Sequence, residues 1–236
     1  METHPYADKS GLKRQLNLAD SSIIDQGYND GGIWFADTNT IICGTFPPRK
    51  EYFNRKGYIH YSSPRNKFWQ QIDKIYQTEL FIKSDIASSA ELRINNSLAK
   101  IEFLRNKKVG LVDIYTKIDR QDIDSSSDDD LIPRETIFDT NIFNALLVST
   151  VQNFVFVYSK SRDEFESQLR SKYNVSFEIL KSHNDGGILL GIKKCRINNK
   201  ELQLIYYPMH GNNTDEKRLP ALRKIFEISS ENRTNQ

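Results

Sequence analysis

The chain has 236 residues, with 33 Lys and Arg against 31 Asp and Glu, a net charge of only +2. That length suits one domain with decorated ends, and so small a net charge excludes binding to a nucleic acid by bulk charge alone, leaving local patches to do it. Two cysteines, Cys43 and Cys195, are too few to ligate an iron–sulfur cluster, and the four histidines show no metal-ligand spacing, so no metal or other cofactor is expected. No apolar run approaches the ~20 residues of a membrane span, and the opening METHPYADKSG lacks a signal-peptide core. A cytoplasmic monomer without a membrane partner is the expectation.

In chain order, residues 1–37 are polar and weakly patterned and read as an N-terminal extension with one short helix. Thr40 to Cys43 is a β-type run that closes on Gly44-Thr45-Phe46-Pro47-Pro48, a strand-to-loop transition. The following loop is basic and aromatic: Arg49, Lys50, Arg55, Lys56, Arg65 and Lys67 face one acid, Glu51. Ser62-Ser63-Pro64 predicts a helix start, a Ser cap followed by Pro at the first position. Phe68, Trp69, Ile72, Ile75 and Tyr76 then recur at the 3.6-residue period.

A second helix is predicted over Ala90 to Asn106, a strand over Val109 to Ile114, and an acidic loop over Asp122 to Asp130. Asp139 to Val151 reads as helix, Phe154 to Tyr158 as a buried strand, and Arg162 to Tyr173 as helix. Ile188 to Ile197 and Leu202 to Tyr207 bracket Asn198-Asn199-Lys200 as a hairpin, and a last helix covers Asp215 to Ile228. Strands alternating with helices predict an α/β domain over residues 38–229, with a mostly parallel sheet covered on both faces, and a polar tail over 230–236. In such sheets ligands sit beyond the carboxyl ends of the strands. The segments that follow strands there are Gly44 to Pro48, Tyr61 to Trp69, and Tyr207-Pro208-Met209-His210-Gly211-Asn212-Asn213.

Gly44-Thr45-Phe46-Pro47-Pro48, followed by Tyr61-x-x-Pro64-Arg65-Asn66-x-Phe68-Trp69, resembles the first two motifs of the hypoxanthine-DNA glycosylase branch of the uracil-DNA glycosylase superfamily. The mismatch-specific uracil glycosylases carry a similar stretch. The resemblance runs from about Thr40 to Ile228 and implies a three-layer α/β/α fold with a central four-stranded, mostly parallel sheet. It implies a monofunctional glycosylase that flips a uracil, hypoxanthine or other altered base out of DNA and hydrolyses its N-glycosidic bond, through an oxocarbenium-like sugar, with no lysine nucleophile and no metal.

The resemblance assigns Asn66 as the catalytic side chain, its amide oxygen holding the attacking water. The competing reading is a helix-start residue bonding its own backbone. Phe46 stands where many members of the superfamily have Asp or Asn. Together with Gly44, Thr45, Pro47, Tyr61 and Phe68 it would line the base pocket, where Phe46 and Tyr61 either sandwich a base or simply pack. Ser63, Pro64 and Arg65 at a helix N-terminus would contact phosphate. In the Pro208 loop, Met209 is the candidate minor-groove wedge, with Gly211 and Asn212 beside DNA and His210 a second catalytic candidate.

That loop departs from the Leu-Pro-Ser-x-Ser-Pro type of the hypoxanthine branch, and Ser159-Lys160 stands where an Asn-Gly-like pair is usual. Both departures leave the excised base open, including a bulkier modified one. Asp113 reads equally as a polar pocket residue or a structural acceptor. The alternative is a DNA-binding protein that kept the fold and lost the chemistry. An α/β hydrolase is disfavoured because no Gly-x-Ser-x-Gly elbow occurs.

Overall fold

The computed structural model describes residues 1–4, 28–29, 32–46, 59–61, 66–81, 89–122, 127–185, 188–207 and 215–231. In chain order the strands are β1 (Glu2–Thr3), β2 (Tyr28–Asn29), β3 (Gly32–Ile33), β4 (Thr40–Gly44), β5 (Val109–Asp113), β6 (Tyr115–Arg120), β7 (Leu131–Thr136), β8 (Asn153–Phe156), β9 (Glu178–Asp185), β10 (Ile188–Ile197) and β11 (Lys200–Tyr206). The helices are α1 (Phe68–Tyr76), α2 (Ala90–Lys107), α3 (Ile142–Val148), α4 (Ser159–Tyr173) and α5 (Asp215–Glu231). Among the described residues, no helix is long and apolar enough to cross a membrane.

The runs TIICG, VGLVD and NFVF are buried along their whole length. Such strands suit the interior of a parallel sheet covered on both faces. They lie at its middle, in the order β2-β3-β5-β4-β8-β11-β10-β9. The pairs β5–β4, β4–β8 and β8–β11 are parallel. On either flank the pairing turns antiparallel, through β3 and β2 on one side and β10 and β9 on the other. The fold is therefore α/β, but the sheet is eight strands wide where four were expected, with the four parallel strands as its centre.

Successive side chains of a strand point to opposite faces, and the core divides accordingly. Ile42, Val155 and Ile205 join Phe68, Trp69, Ile72, Ile101, Leu104 and Leu222, which come from α1, α2 and α5. Ile41, Cys43, Phe154, Phe156 and Leu204 join Phe143, Leu146, Phe165 and Leu169 from α3 and α4.

A second, three-stranded sheet in the order β1-β6-β7 was not expected from the sequence. It ties down the first residues of the chain. Glu2 pairs with Ile118 in register. The Arg120 Nε donates to Glu2 Oε1 at 2.8 Å, and the N-terminal ammonium lies 2.8 Å from Asp119 Oδ1. Residues 28–29 and 32–35 also join the fold, the latter burying Ile33, Trp34 and Phe35. The short helix expected before residue 37 falls largely outside the described residues. Asp139 is not helical: it accepts hydrogen bonds from the Thr136 backbone N–H (2.9 Å) and hydroxyl (2.8 Å), closing a turn before α3 begins at Ile142. The segment 123–126 of the expected acidic loop lies outside the described residues, and Asp128–Asp130 forms a 3-10 turn.

Candidate active site

Strands β4 and β5 end side by side, with Gly44 opposite Asp113. Their pairing continues past the last strand residues, as Ile114 N–H donates to Gly44 O and Tyr115 N–H to Thr45 O, both at 3.0 Å. This holds Thr45 and Phe46 over the sheet end, both buried. Gly44 is glycine for reasons of space. A Cβ there would stand 2.1 Å from Asp113 Oδ1 and 3.1 Å from the Tyr61 hydroxyl. The Asp113 carboxylate occupies the room that a side chain at 44 would need.

Two histidines converge on that carboxylate. His4 Nε2 lies 3.1 Å and His60 Nε2 3.2 Å from the same oxygen, Oδ2. The three side chains are at most 5% exposed. Burial alone would raise the pKa of Asp113, but the charge of His60 and hydrogen bonds from His4 and His60 outweigh it and hold the carboxyl far below its ordinary range. Burial lowers the pKa of His4, and its hydrogen bond to Asp113 only partly offsets this. The arrangement is an ionised Asp113 with a neutral His4 beside it.

His60 and Tyr61 form a turn in front of α1. Trp69 Nε1 donates to the His60 carbonyl at 2.9 Å, and the Tyr61 ring lies against Phe68, centroids 4.9 Å apart and planes tilted 45°. Tyr61 has φ 61°, in the left-handed region that a Tyr enters at a cost of about 1–3 kcal/mol. Helix α1 therefore serves as the frame that fixes this residue. Phe46 packs edge-on against His4, centroids 5.4 Å apart, with the Arg120 guanidinium 5.9 Å from its ring.

Asn66 is half-buried, just ahead of α1, and its Oδ1 accepts from Phe68 N–H at 2.9 Å. This is the local backbone bond weighed for it from the sequence. It fixes the amide plane while leaving the oxygen's second lone pair and two N–H donors for other partners. Ser63, Pro64 and Arg65 lie outside the described residues, as do Pro47, Pro208, Met209, His210, Gly211 and Asn212. The described helix opens at Phe68, with Lys67 at its cap. The anchors of the Pro208 loop are described: Tyr207 N–H donates to Phe156 O at 2.9 Å and its hydroxyl to Arg218 O at 3.1 Å. The loop thus leaves from the same end of the parallel strands as Gly44 and Asp113.

Ser159 is exposed and opens α4 beyond β8, across β4 from Asp113. Nearby, Arg162 lies over the Tyr206 ring at 4.4 Å, in a cavity of about 130 Å³ also lined by Glu166 and Lys193. Of the expected pocket residues, Gly44, Thr45, Phe46, Tyr61 and Phe68 are grouped around Asp113 and the start of α1. Sequence reading missed His4 and His60. They lie 109 and 53 positions from Asp113, and neither falls in a pattern that marks a ligand or a catalytic pair.

No protein-family description matches the chain, and no curated protein does. Among solved structures it is similar to a solution NMR structure described as a "putative Uracil DNA glycosylase from Methanosarcina acetivorans", at 20% identity and a TM-score of 0.40, over 59% of this chain and 74% of that one. An overlay of that quality leaves the chemistry to be argued from the residues themselves.

Those residues offer three capacities at one sheet end. They are an aromatic ring at Tyr61, packed on the buried Phe68, a fixed amide at Asn66, and an ionised carboxylate held by two imidazoles. The amide is a hydrogen-bonding group able to orient water.

Proposed function

We propose that the chain is a monofunctional DNA glycosylase that hydrolyses the N-glycosidic bond of a flipped, altered base and leaves an abasic site. The observation that carries this reading is the Tyr61-x-x-Pro64-Arg65-Asn66-x-Phe68-Trp69 segment, with the Tyr61 hydroxyl beside Gly44 at the carboxyl end of a parallel strand, its ring packed on Phe68, and Asn66 bonded to the Phe68 backbone. Ligands of open α/β sheets bind at that end.

In this reading the flipped base rests on the aromatic surface that Tyr61 begins. Asn66, with its oxygen oriented by Phe68 N–H, holds a water for attack on C1′. The bond from C1′ to the base nitrogen breaks as the water oxygen bonds to C1′; the base leaves with the electron pair and takes up the proton that the water gives up. The carboxylate of Asp113, buried behind the turn, keeps His60 and Tyr61 in place. Arg65, Ser63 and the Pro208 loop, with Met209 and His210, supply the DNA contacts. Uracil and hypoxanthine are the first substrates to try. A binding protein that lost the chemistry is the second reading, favoured by Phe46 standing where a water-positioning Asp or Asn is common.

The test is a panel of labelled duplexes and single strands, each with one uracil, hypoxanthine, xanthine or hydroxymethyl-pyrimidine, treated with alkali after incubation. Alkali-labile strand breaks at one base that vanish in Asn66→Ala, with DNA affinity kept, support the glycosylase. Retained binding without breaks on any substrate favours the binding protein.

A further inference from the structure

We propose that His4, His60 and Asp113 form a site for one divalent transition-metal ion of the zinc class. Three donor atoms, one from each residue, lie within 4.8 Å of one another, and all three residues are buried. Both imidazoles meet the carboxylate at a single oxygen, at 3.1 and 3.2 Å. A network built for hydrogen bonds alone has two carboxylate oxygens over which to distribute two donors. Two imidazole nitrogens gathered on one carboxylate oxygen, all three atoms within 4.8 Å, form a set that one cation can share.

The spacing agrees. With bonds of about 2.0–2.2 Å, neighbouring donors around a four- to six-coordinate centre are roughly 3.0–3.4 Å apart. Two imidazole nitrogens and one carboxylate suit zinc and its neighbours. Calcium and magnesium favour oxygen ligands throughout. Three protein ligands leave a further position, which a water fills.

The ligands come from the end of the short strand β1, the turn before α1 and the tip of β5. One ion would clip these segments together and fix the backbone beside Tyr61. The Gly44 position, where any side chain would strike Asp113 Oδ1, keeps the carboxylate free to take up this geometry. The site stands on its own geometry and does not depend on whether the chain excises bases.

The full chain, stripped with a chelator and dialysed, is titrated with Zn²⁺ against a chromophoric chelator and, separately, with Co²⁺ while its visible spectrum is recorded. The expected result is one equivalent bound per chain, with cobalt bands stronger than those of the hexaaquo ion. In His4→Ala and His60→Ala, with the fold checked by circular dichroism, affinity falls at least about 100-fold, beyond what changes outside the ligand shell give. If a variant does not fold, the cobalt spectrum of the unaltered chain, recorded with and without diethylpyrocarbonate modification of its histidines, replaces it. A hexaaquo-type spectrum, less than one equivalent of Zn²⁺ bound, or binding unchanged by both substitutions overturns the proposal.

Discussion

Replacing Gly44 by alanine adds one methyl group at the most crowded point of the sheet end. Its Cβ would lie 2.1 Å from Asp113 Oδ1, against an ordinary contact of 3.4 Å or more. The carboxylate must therefore retreat by over an ångström, and its contacts to His4 and His60, now 3.1 and 3.2 Å, pass out of bonding range. Overpacking costs about 1–3 kcal/mol, and the His4 hydrogen bond to the charged carboxylate contributes about 1.5–3 kcal/mol. Relaxation recovers part of this, so a net loss of about 3 kcal/mol is expected. Urea unfolding measures it as a lower midpoint at unchanged slope. Gly191→Ala is the internal control, because among the described residues its Cβ would meet Tyr206 Cβ alone, at an ordinary 3.8 Å. A loss below about 0.5 kcal/mol in Gly44→Ala, or an equal loss in both variants, would refute the account of why residue 44 is glycine.

Three further outcomes are expected. Burial on α2 lowers the pKa of Lys100 to about 7, only partly opposed by the charge of Asp73. Between about pH 7 and the ordinary Lys value the unfolded chain holds the extra proton, so stability rises with pH there, by at most ~1.4 kcal/mol per pH unit. Lys100→Met flattens that dependence in denaturation curves at pH 7 and pH 9, and an unchanged slope contradicts it. Burial also pushes the Cys43 thiol well above its usual range, with Asp113 adding to it, and raises Cys195 to about 11. Neither thiol reacts with a disulfide reagent at pH 8 until denaturant is added, and rapid labelling of the native chain would show an opening that the fold does not describe. Asn66→Ala removes the bond to Phe68 N–H and costs about 1 kcal/mol in thermal or urea unfolding. No measurable cost would mean that the bond does not hold the amide.

The sequence exposed the parts of the fold that are both apolar and long enough to show a period. Thr40–Gly44, Val109–Asp113 and Asn153–Phe156 were legible because buried strands are continuous hydrophobic runs bounded by turn residues. The hairpin at Asn198, where φ is 54°, was announced by its Asn pair. Glu2–Thr3, Tyr28–Asn29 and Gly32–Ile33 are too short to carry any pattern. Tyr115–Arg120 and Leu131–Thr136 hide theirs under charges that pair across strands, as Asp119 does with Arg134 at 2.7 Å.

The candidate site divides the same way. Asn66, Tyr61 and Phe68 sit in one contiguous motif and could be named from it. His4 and His60 were not, because only strand pairing of β1 on β6 and the turn held by Trp69 carry them to Asp113. No local spacing encodes a meeting of residues 4, 60 and 113.

The central claim is tested most directly by incubating the purified chain with a duplex carrying a single deoxyuridine or deoxyinosine and analysing both products by mass spectrometry. The account predicts free base and an intact strand lighter by that base and heavier by water, formed by the unaltered chain and not by Asn66→Ala. Unchanged oligonucleotide across the altered-base panel, despite measurable DNA binding, would contradict it.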